Sequence, residues 1–220
     1  MKQEIIRGPR GSASLEEIAC GIYRLLIPFE DLTTTVYIEK RDTGVGIIDC
    51  ATYSEDVDEY ILPAIRALSL TPQDVGYVAL THRHGDHAGG RHRACAVFPS
   101  ATLYAHENEQ VELAVRISDG DAVGGFVALH LPGHTTGSMG FFDTASGTLL
   151  SGDCLQLRGI GKYRGGVVYP DLYRASVARL RTASLSRIVA AHEYDPLGSI
   201  ADGALAVGAY LDECIAAMEK

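Results

Sequence analysis

Thr81-His82-Arg83-His84-Gly85-Asp86-His87-Ala88-Gly89-Gly90 is the stretch from which the fold is read. His82, His84, Asp86 and His87 fall within six residues of one another. Imidazoles plus a carboxylate are the donors that borderline divalent metals prefer. The stretch follows Val75 to Leu80, a short run of β-branched and aliphatic residues. That run predicts a buried strand, with the donors in the loop leaving its C-terminal end. Gly85 and the pair Gly89-Gly90 let the backbone fold tightly there without a Cβ penalty.

The neighbouring segments give the setting. Upstream, Val45 to Asp49 reads as a central strand, apolar throughout until its last residue. Asp49 then has two structural readings, as a cap of the following turn or as a hydrogen-bond partner of the metal loop. Apolar residues at Val57, Ile61, Leu62, Ile65 and Leu68 predict a helix over 55–68, with Ser54 as its N-cap. A strand, a helix and a parallel strand in succession predict an α/β layer architecture. Ile22 to Ile27 and Thr34 to Glu39 read as two earlier strands, and residues 1–14 as a partly loose segment.

Downstream, a short helix is predicted over 87–94 and a strand over 102–105. A helix over 106–114 would place Glu107, Glu109 and Glu112 on its exposed side. His106 reads as an ordinary helix-start histidine, His92 as part of a basic loop, and His130 as a residue of a strand over 126–131. His134 sits between Gly-rich turns at the end of that strand, where it is exposed by geometry. Strands over 139–143 and 148–150 lead to Ser151-Gly152-Asp153-Cys154, a second carboxylate just beyond a strand. Cys154 should point the other way along an extended backbone, into the core. The Gly-rich segment 158–168 reads as a functional loop or a surface excursion. A helix over 171–184, a strand over 188–191 ending at His192, and a helix over 202–218 complete the chain.

The chain has 220 residues and a formal net charge of −9, with 19 Lys plus Arg against 28 Asp plus Glu. That length suits one domain spanning 1–220. The acidic balance argues against nucleic acid as a partner. No segment approaches the length of a membrane span, and the charged start leads to no apolar signal core. A cytoplasmic protein acting on a small molecule is expected. Five widely spaced cysteines (Cys20, Cys50, Cys95, Cys154, Cys214) fit free buried thiols better than a disulfide framework.

Seven candidate ligands therefore stand at strand ends: His82, His84, Asp86, His87, His134, Asp153 and His192. In this order, His-x-His-x-Asp-His, Pro-Gly-His, Gly-Asp and a late His resemble the metallo-β-lactamase-fold superfamily from about Ile22 to Pro196. The resemblance implies a four-layer αββα sandwich, two mixed sheets face to face with helices outside. It implies two metal ions, the first held by His82, His84 and His134, the second by Asp86, His87 and His192, with Asp153 bridging. Zinc is the metal expected, although the same donors accept iron and manganese. A water shared by two such ions ionises near neutral pH and becomes a nucleophile. Asp86 and Asp153 are the candidate catalytic residues, orienting that water or passing a proton to the leaving group.

Cysteine-ligand β-lactamases carry Cys where this chain has Asp153, a lysine near Gln156, and no histidine ligand at position 87. The departures argue against antibiotic hydrolysis. The stretches 81–90 and 192–194 resemble glyoxalase II, a thioester hydrolase, although the chain ends soon after His192 without the full helical domain that binds glutathione there. Lactone hydrolases share the seven ligands. Gly152-Asp153 followed by Leu157-Arg158-Gly159-Ile160-Gly161 resembles the persulfide dioxygenases, which use a single iron. Hydrolysis of a small ester, thioester or lactone is thus the expected activity, and sulfur oxygenation the alternative. A redox module passing electrons through a di-iron site would need a flavin partner chain. Tyr163, Tyr169 and Tyr194 are candidate pocket residues.

Overall fold

The computed structural model describes residues 4–29, 32–42, 44–155, 166–194 and 198–218. These divide into two compact units. The first lies within residues 1–105, 111–116 and 123–125, and the second within 106–110, 117–122 and 126–220. Two mixed sheets carry the chain. The eight-stranded sheet has the order β1-β2-β3-β4-β5-β6-β7-β8, and the six-stranded sheet the order β14-β13-β12-β11-β10-β9.

In the first sheet, β1 (Glu4–Gly8), β2 (Gly11–Ala19), β3 (Ile22–Phe29), β4 (Leu32–Arg41) and β5 (Gly44–Ile48) run antiparallel in sequence. The chain then crosses over to β6 (Val75–Ala79) and β7 (Thr102–His106), both paired parallel, and β8 (Val115–Ile117) completes the order beside β7. The crossover runs through α1 (Ser54–Asp56), a π-helical turn (Val57–Ile61) and α2 (Leu62–Ala67). The predicted helix is thus present with a wide turn at its centre. Its N-cap is Tyr53 rather than Ser54, because the Asp56 carboxylate reaches back to the amides of Thr52 and Tyr53 at 3.1 and 2.8 Å.

Residues 4–14 are not loose. Ile6, Ala13 and Leu15 are buried, and Ile6 pairs with Ala13 across the β1–β2 hairpin. The apolar positions are too few and too interrupted by Gly8, Pro9 and Gly11 for the alternation to register in the sequence. Tyr60, on the π-helical turn, fastens this hairpin. Its hydroxyl accepts from the Arg10 amide at 3.1 Å and lies 3.3 Å from the Gly11 carbonyl.

In the second sheet, β9 (Ala122–Val123), β10 (Phe126–His130), β11 (Met139–Asp143) and β12 (Thr148–Gly152) lead to β13 (Arg187–Tyr194), which pairs parallel to β12. β14 (Gly198–Asp202), not expected from the sequence, adds an antiparallel edge. Helices α3 (Gly85–Ala88) and α4 (Arg91–Val97) belong to the first unit, and α5 (Pro170–Arg181) and α6 (Ala204–Ala216) to the second.

Each unit has its own core. Leu25, Ile27, Val36, Ile38, Ile47 and Val78 belong to the first, and Leu149, Ile188, Val177 and Leu211 to the second. Cys154 is in the second core, as expected. All five cysteines are free, with Cys50, Cys154 and Cys214 buried and Cys20 and Cys95 exposed. Among the described residues no helix is long and apolar enough to cross a membrane.

Candidate metal centre

The donor loop of the first unit begins where β6 stops. Leu80 still pairs with the next strand, its amide donating to the Tyr104 carbonyl at 2.9 Å. Thr81 then turns inward, and Asp49 receives it twice. The Thr81 amide donates to Asp49 Oδ1 at 2.8 Å and its hydroxyl to Oδ2 at 2.8 Å. Asp49 Oδ2 also lies 2.7 Å from His87 Nδ1. Of its two readings the structure therefore bears out the second, as partner of the metal loop. Asp49 and Ala51 both adopt left-handed backbone, with φ of 65° and 57°. Such residues cost about 1–3 kcal/mol each. Burial of Ile47 and Ile48 just upstream, at 0 and 1 % exposure, stabilises by about 1.5–3 kcal/mol apiece and offsets that strain.

The loop is stitched to the turn after β5 along its length. The Cys50 amide donates to the His87 carbonyl at 2.6 Å and the Gly89 amide to the Ala51 carbonyl at 3.1 Å. Thr34 Oγ1 donates to the Asp86 carbonyl at 2.7 Å. A Cβ on Gly89 would stand 1.8 Å from the Thr52 carbonyl oxygen, and one on Gly90 2.3 Å from that of Cys50. Close approach is why glycine is needed there, whereas Gly85 faces open space.

These bonds set the imidazoles. The Thr81 hydroxyl gives its proton to Asp49, so at 3.1 Å it accepts one from His82 Nδ1. The Asp49 carboxylate likewise accepts from His87 Nδ1. Both rings are buried, at 1 and 0 % exposure. Each then presents Nε2 as its candidate ligating atom. The rings of His82 and His84 meet edge-on with centroids 4.7 Å apart, and those of His82 and His87 at 4.2 Å. Asp86 Oδ2 lies 3.6 Å from His87 Nε2.

The second unit builds a group of its own. His134 leaves the chain just after Gly133, which has φ +150° and packs so closely on Tyr173 that a Cβ would come within 2.6 Å of it. The Gly133 carbonyl accepts from the amides of Val168 and Tyr169 at 3.0 and 2.8 Å. His134 Nδ1 donates to the Gly166 carbonyl at 2.7 Å, which makes Nε2 the candidate ligating atom. That Nε2 lies 3.5 Å from Asp153 Oδ2, and His192 Nε2 lies 3.3 Å from Asp153 Oδ1. Asp153 follows β12 after Gly152, whose φ of 51° turns the carboxylate out of the strand direction.

The chain resembles known proteins in sequence and in structure. The profile of the Metallo-beta-lactamase superfamily matches residues 29–113, which contain the whole first donor loop. A metallo-beta-lactamase family protein of Thermus thermophilus superposes with a TM-score of 0.71 at 20 % identity, over 92 % of this chain and 81 % of that one. This is a metallo-β-lactamase-fold protein. Among relatives of the metallo-β-lactamase-fold chain, YobT of Bacillus subtilis (strain 168) is 31 % identical over 56 % of this chain and 62 % of its own. A hydroxyacylglutathione hydrolase of Legionella pneumophila (strain Lens) is 28 % identical over 76 % of this chain and 64 % of its own. The metallo-β-lactamase-fold chain thus spans a little under two thirds of these relatives' length.

Every expected ligand is described. His82, His84, Asp86 and His87 come together in the first unit, and His134, Asp153 and His192 in the second. Of the pocket candidates, Tyr169 is 39 % exposed; Tyr163 and the Tyr194 side chain lie outside the described residues, as do Gln156 and most of the segment 158–168.

The expected helix over 106–114 is absent. Residues Glu107–Glu109 form one 3-10 turn, ended by Gln110 in left-handed backbone (φ 53°), and Leu113 is left-handed as well (φ 62°). Glu109 is consequently buried, at 2 % exposure, rather than solvated. His106 starts this turn, its Nδ1 accepting from the Asn108 amide at 3.2 Å, and stacks on His130 with centroids 4.2 Å apart.

Proposed function

We propose that this chain is a binuclear metal-dependent hydrolase of a small ester, thioester or lactone, its two units forming one domain. His82, His84 and His134 would hold one ion, Asp86, His87 and His192 the other, and Asp153 both. The observation that carries the reading is the state of the imidazoles. Three of them, in two separate loops, have Nδ1 committed to an acceptor, which makes Nε2 the candidate ligating atom of each. Solvated loop histidines would have no need of buried acceptors such as Asp49. Divalent ions bound there supply Lewis acidity toward water and a carbonyl oxygen.

The remaining chemistry belongs to side chains. Asp86, with a partly exposed side chain, would take a proton from water and deliver it to a leaving alkoxide or thiolate. Asp153 is acceptor-only when ionised and balances the charge that two divalent ions bring. The donor pair of Asp86 and His87, with its own support from Asp49, is the feature that favours two ions over the single-iron oxygenase. The name of the Legionella relative makes thioesters the first substrates to assay.

The test is turnover of a thioester, ester and lactone panel by chelator-treated protein, before and after reloading with zinc. Hydrolysis restored by metal, and lost in His84→Ala and Asp153→Ala together with bound metal, is expected. Full activity and full metal in either variant rejects the assignment. Oxygen uptake with a persulfide in place of hydrolysis establishes the oxygenase instead.

A further inference from the structure

We infer that Glu109 is a positioning residue for the His134 ligand loop, holding in place one of the two metal ions. The inference rests on the binuclear reading above. Glu109 lies in the 3-10 turn Glu107–Glu109, and this turn packs on the loop 132–138 within the second unit. A carboxylate at 2 % exposure is costly to keep without strong partners. Here Glu109 Oε1 accepts from the Thr135 hydroxyl at 2.5 Å.

The direction of that bond orders the rest. Thr135 gives its one hydroxyl proton to Glu109, so the contact of 2.7 Å between Thr135 Oγ1 and Ser138 Oγ is donated by Ser138. Ser138 Oγ in turn accepts from the Thr135 amide at 3.0 Å. The Gly133 amide donates to the Thr135 carbonyl at 3.0 Å. The peptide groups on the C-terminal side of His134 are therefore fixed through Thr135, and Thr135 is fixed by Glu109.

Two further bonds hold the next residue. Asn108 Nδ2 donates to the Thr136 carbonyl at 3.3 Å, and His130 Nε2 lies 2.9 Å from the same oxygen. Gly137 packs so tightly on this turn that a Cβ would come within 2.6 Å of Glu109 Oε1. On the other side of His134, Gly166 holds the ring and Val168 and Tyr169 hold Gly133. His134 is thus gripped from both directions, and Glu109 brings a buried hydrogen-bond acceptor to the grip on its C-terminal side. Ligand geometry must hold to within about 0.5 Å to keep its ion, and outer partners of this kind affect metal affinity by roughly 10–100-fold.

The test is a zinc titration of chelator-treated protein against a chromogenic competitor, which yields both dissociation constants, with thermal unfolding of the metal-free protein alongside. Glu109→Ala is expected to weaken one ion about 10–100-fold and to leave the other near its wild-type constant. Glu109→Gln, whose amide oxygen still accepts from Thr135, is expected to recover most of the loss. Thr135→Val keeps the side-chain shape, drops the hydroxyl and is expected to reproduce the selective weakening; unchanged constants there overturn the inference even where Glu109→Ala does not fold. Equal weakening of both ions in step with lost thermal stability also overturns it, because that is the signature of a purely structural role. Wild-type protein that takes up no ion rejects the binuclear reading itself, and the inference with it.

Discussion

Removing the Asp49 carboxylate takes away three bonds at once: those from the Thr81 amide, the Thr81 hydroxyl and His87 Nδ1. Asp49→Ala is expected to lower metal affinity about 10–100-fold, read by the same competitor titration, while leaving every proposed ligand in place. An unchanged affinity would mean that the ring orientations do not depend on this carboxylate. Asp49 was legible only as a choice between two structural roles, because sequence spacing does not say which loop a carboxylate at a strand end will meet. The proposed ligands stood out in the sequence as candidates because their residue types suit metal chemistry and recur at strand ends. The burial of Glu109 was not legible, since Glu107, Glu109 and Glu112 form a pattern that suits a helix surface. The helix fails at Gln110 and Leu113, which take left-handed backbone without being Gly or Asn, and so leave no sequence signal of the break.

At the scale of elements, the donor loop depends on two glycines and not on the third. Gly89→Ala would drive a Cβ to 1.8 Å from the Thr52 carbonyl, and it is expected to cost about 1–3 kcal/mol of stability in urea unfolding. Gly85→Ala meets nothing within 4 Å and should stay within about 0.5 kcal/mol of wild type; equal effects at the two positions would show that close approach is not what fixes the loop. The turn that begins at His106 should respond to pH. Burial, and then the stacked His130, hold His106 below its ordinary range, against the opposing charges of Glu107 and Glu109. A depressed histidine stabilises the fold while neutral, so its contribution is complete above about pH 6.5 and lost as pH falls through the folded-state value. The stability difference between wild type and His106→Gln is therefore expected to shrink between pH 7.5 and pH 5 in urea unfolding. A constant or growing difference would contradict it. The β1–β2 hairpin and β14 escaped the sequence because short strands broken by Gly, Pro and Asp show too few alternations to be seen.

For the whole molecule, the strand–helix–strand order around residues 45–80 was enough to place the chain in its class, since a parallel β5–β6 pair requires a crossover of this length. The division into two units follows the cores, each built from its own sheet and helices. Each unit contributes its share of the proposed ligands: four donors in the first, three in the second. The measurement that tests the binuclear centre most directly is elemental analysis of protein purified without added metal or chelator, with ions counted per chain. About two divalent ions per chain, zinc foremost, is the expected result. One iron per chain, or none of any metal, would contradict the binuclear centre.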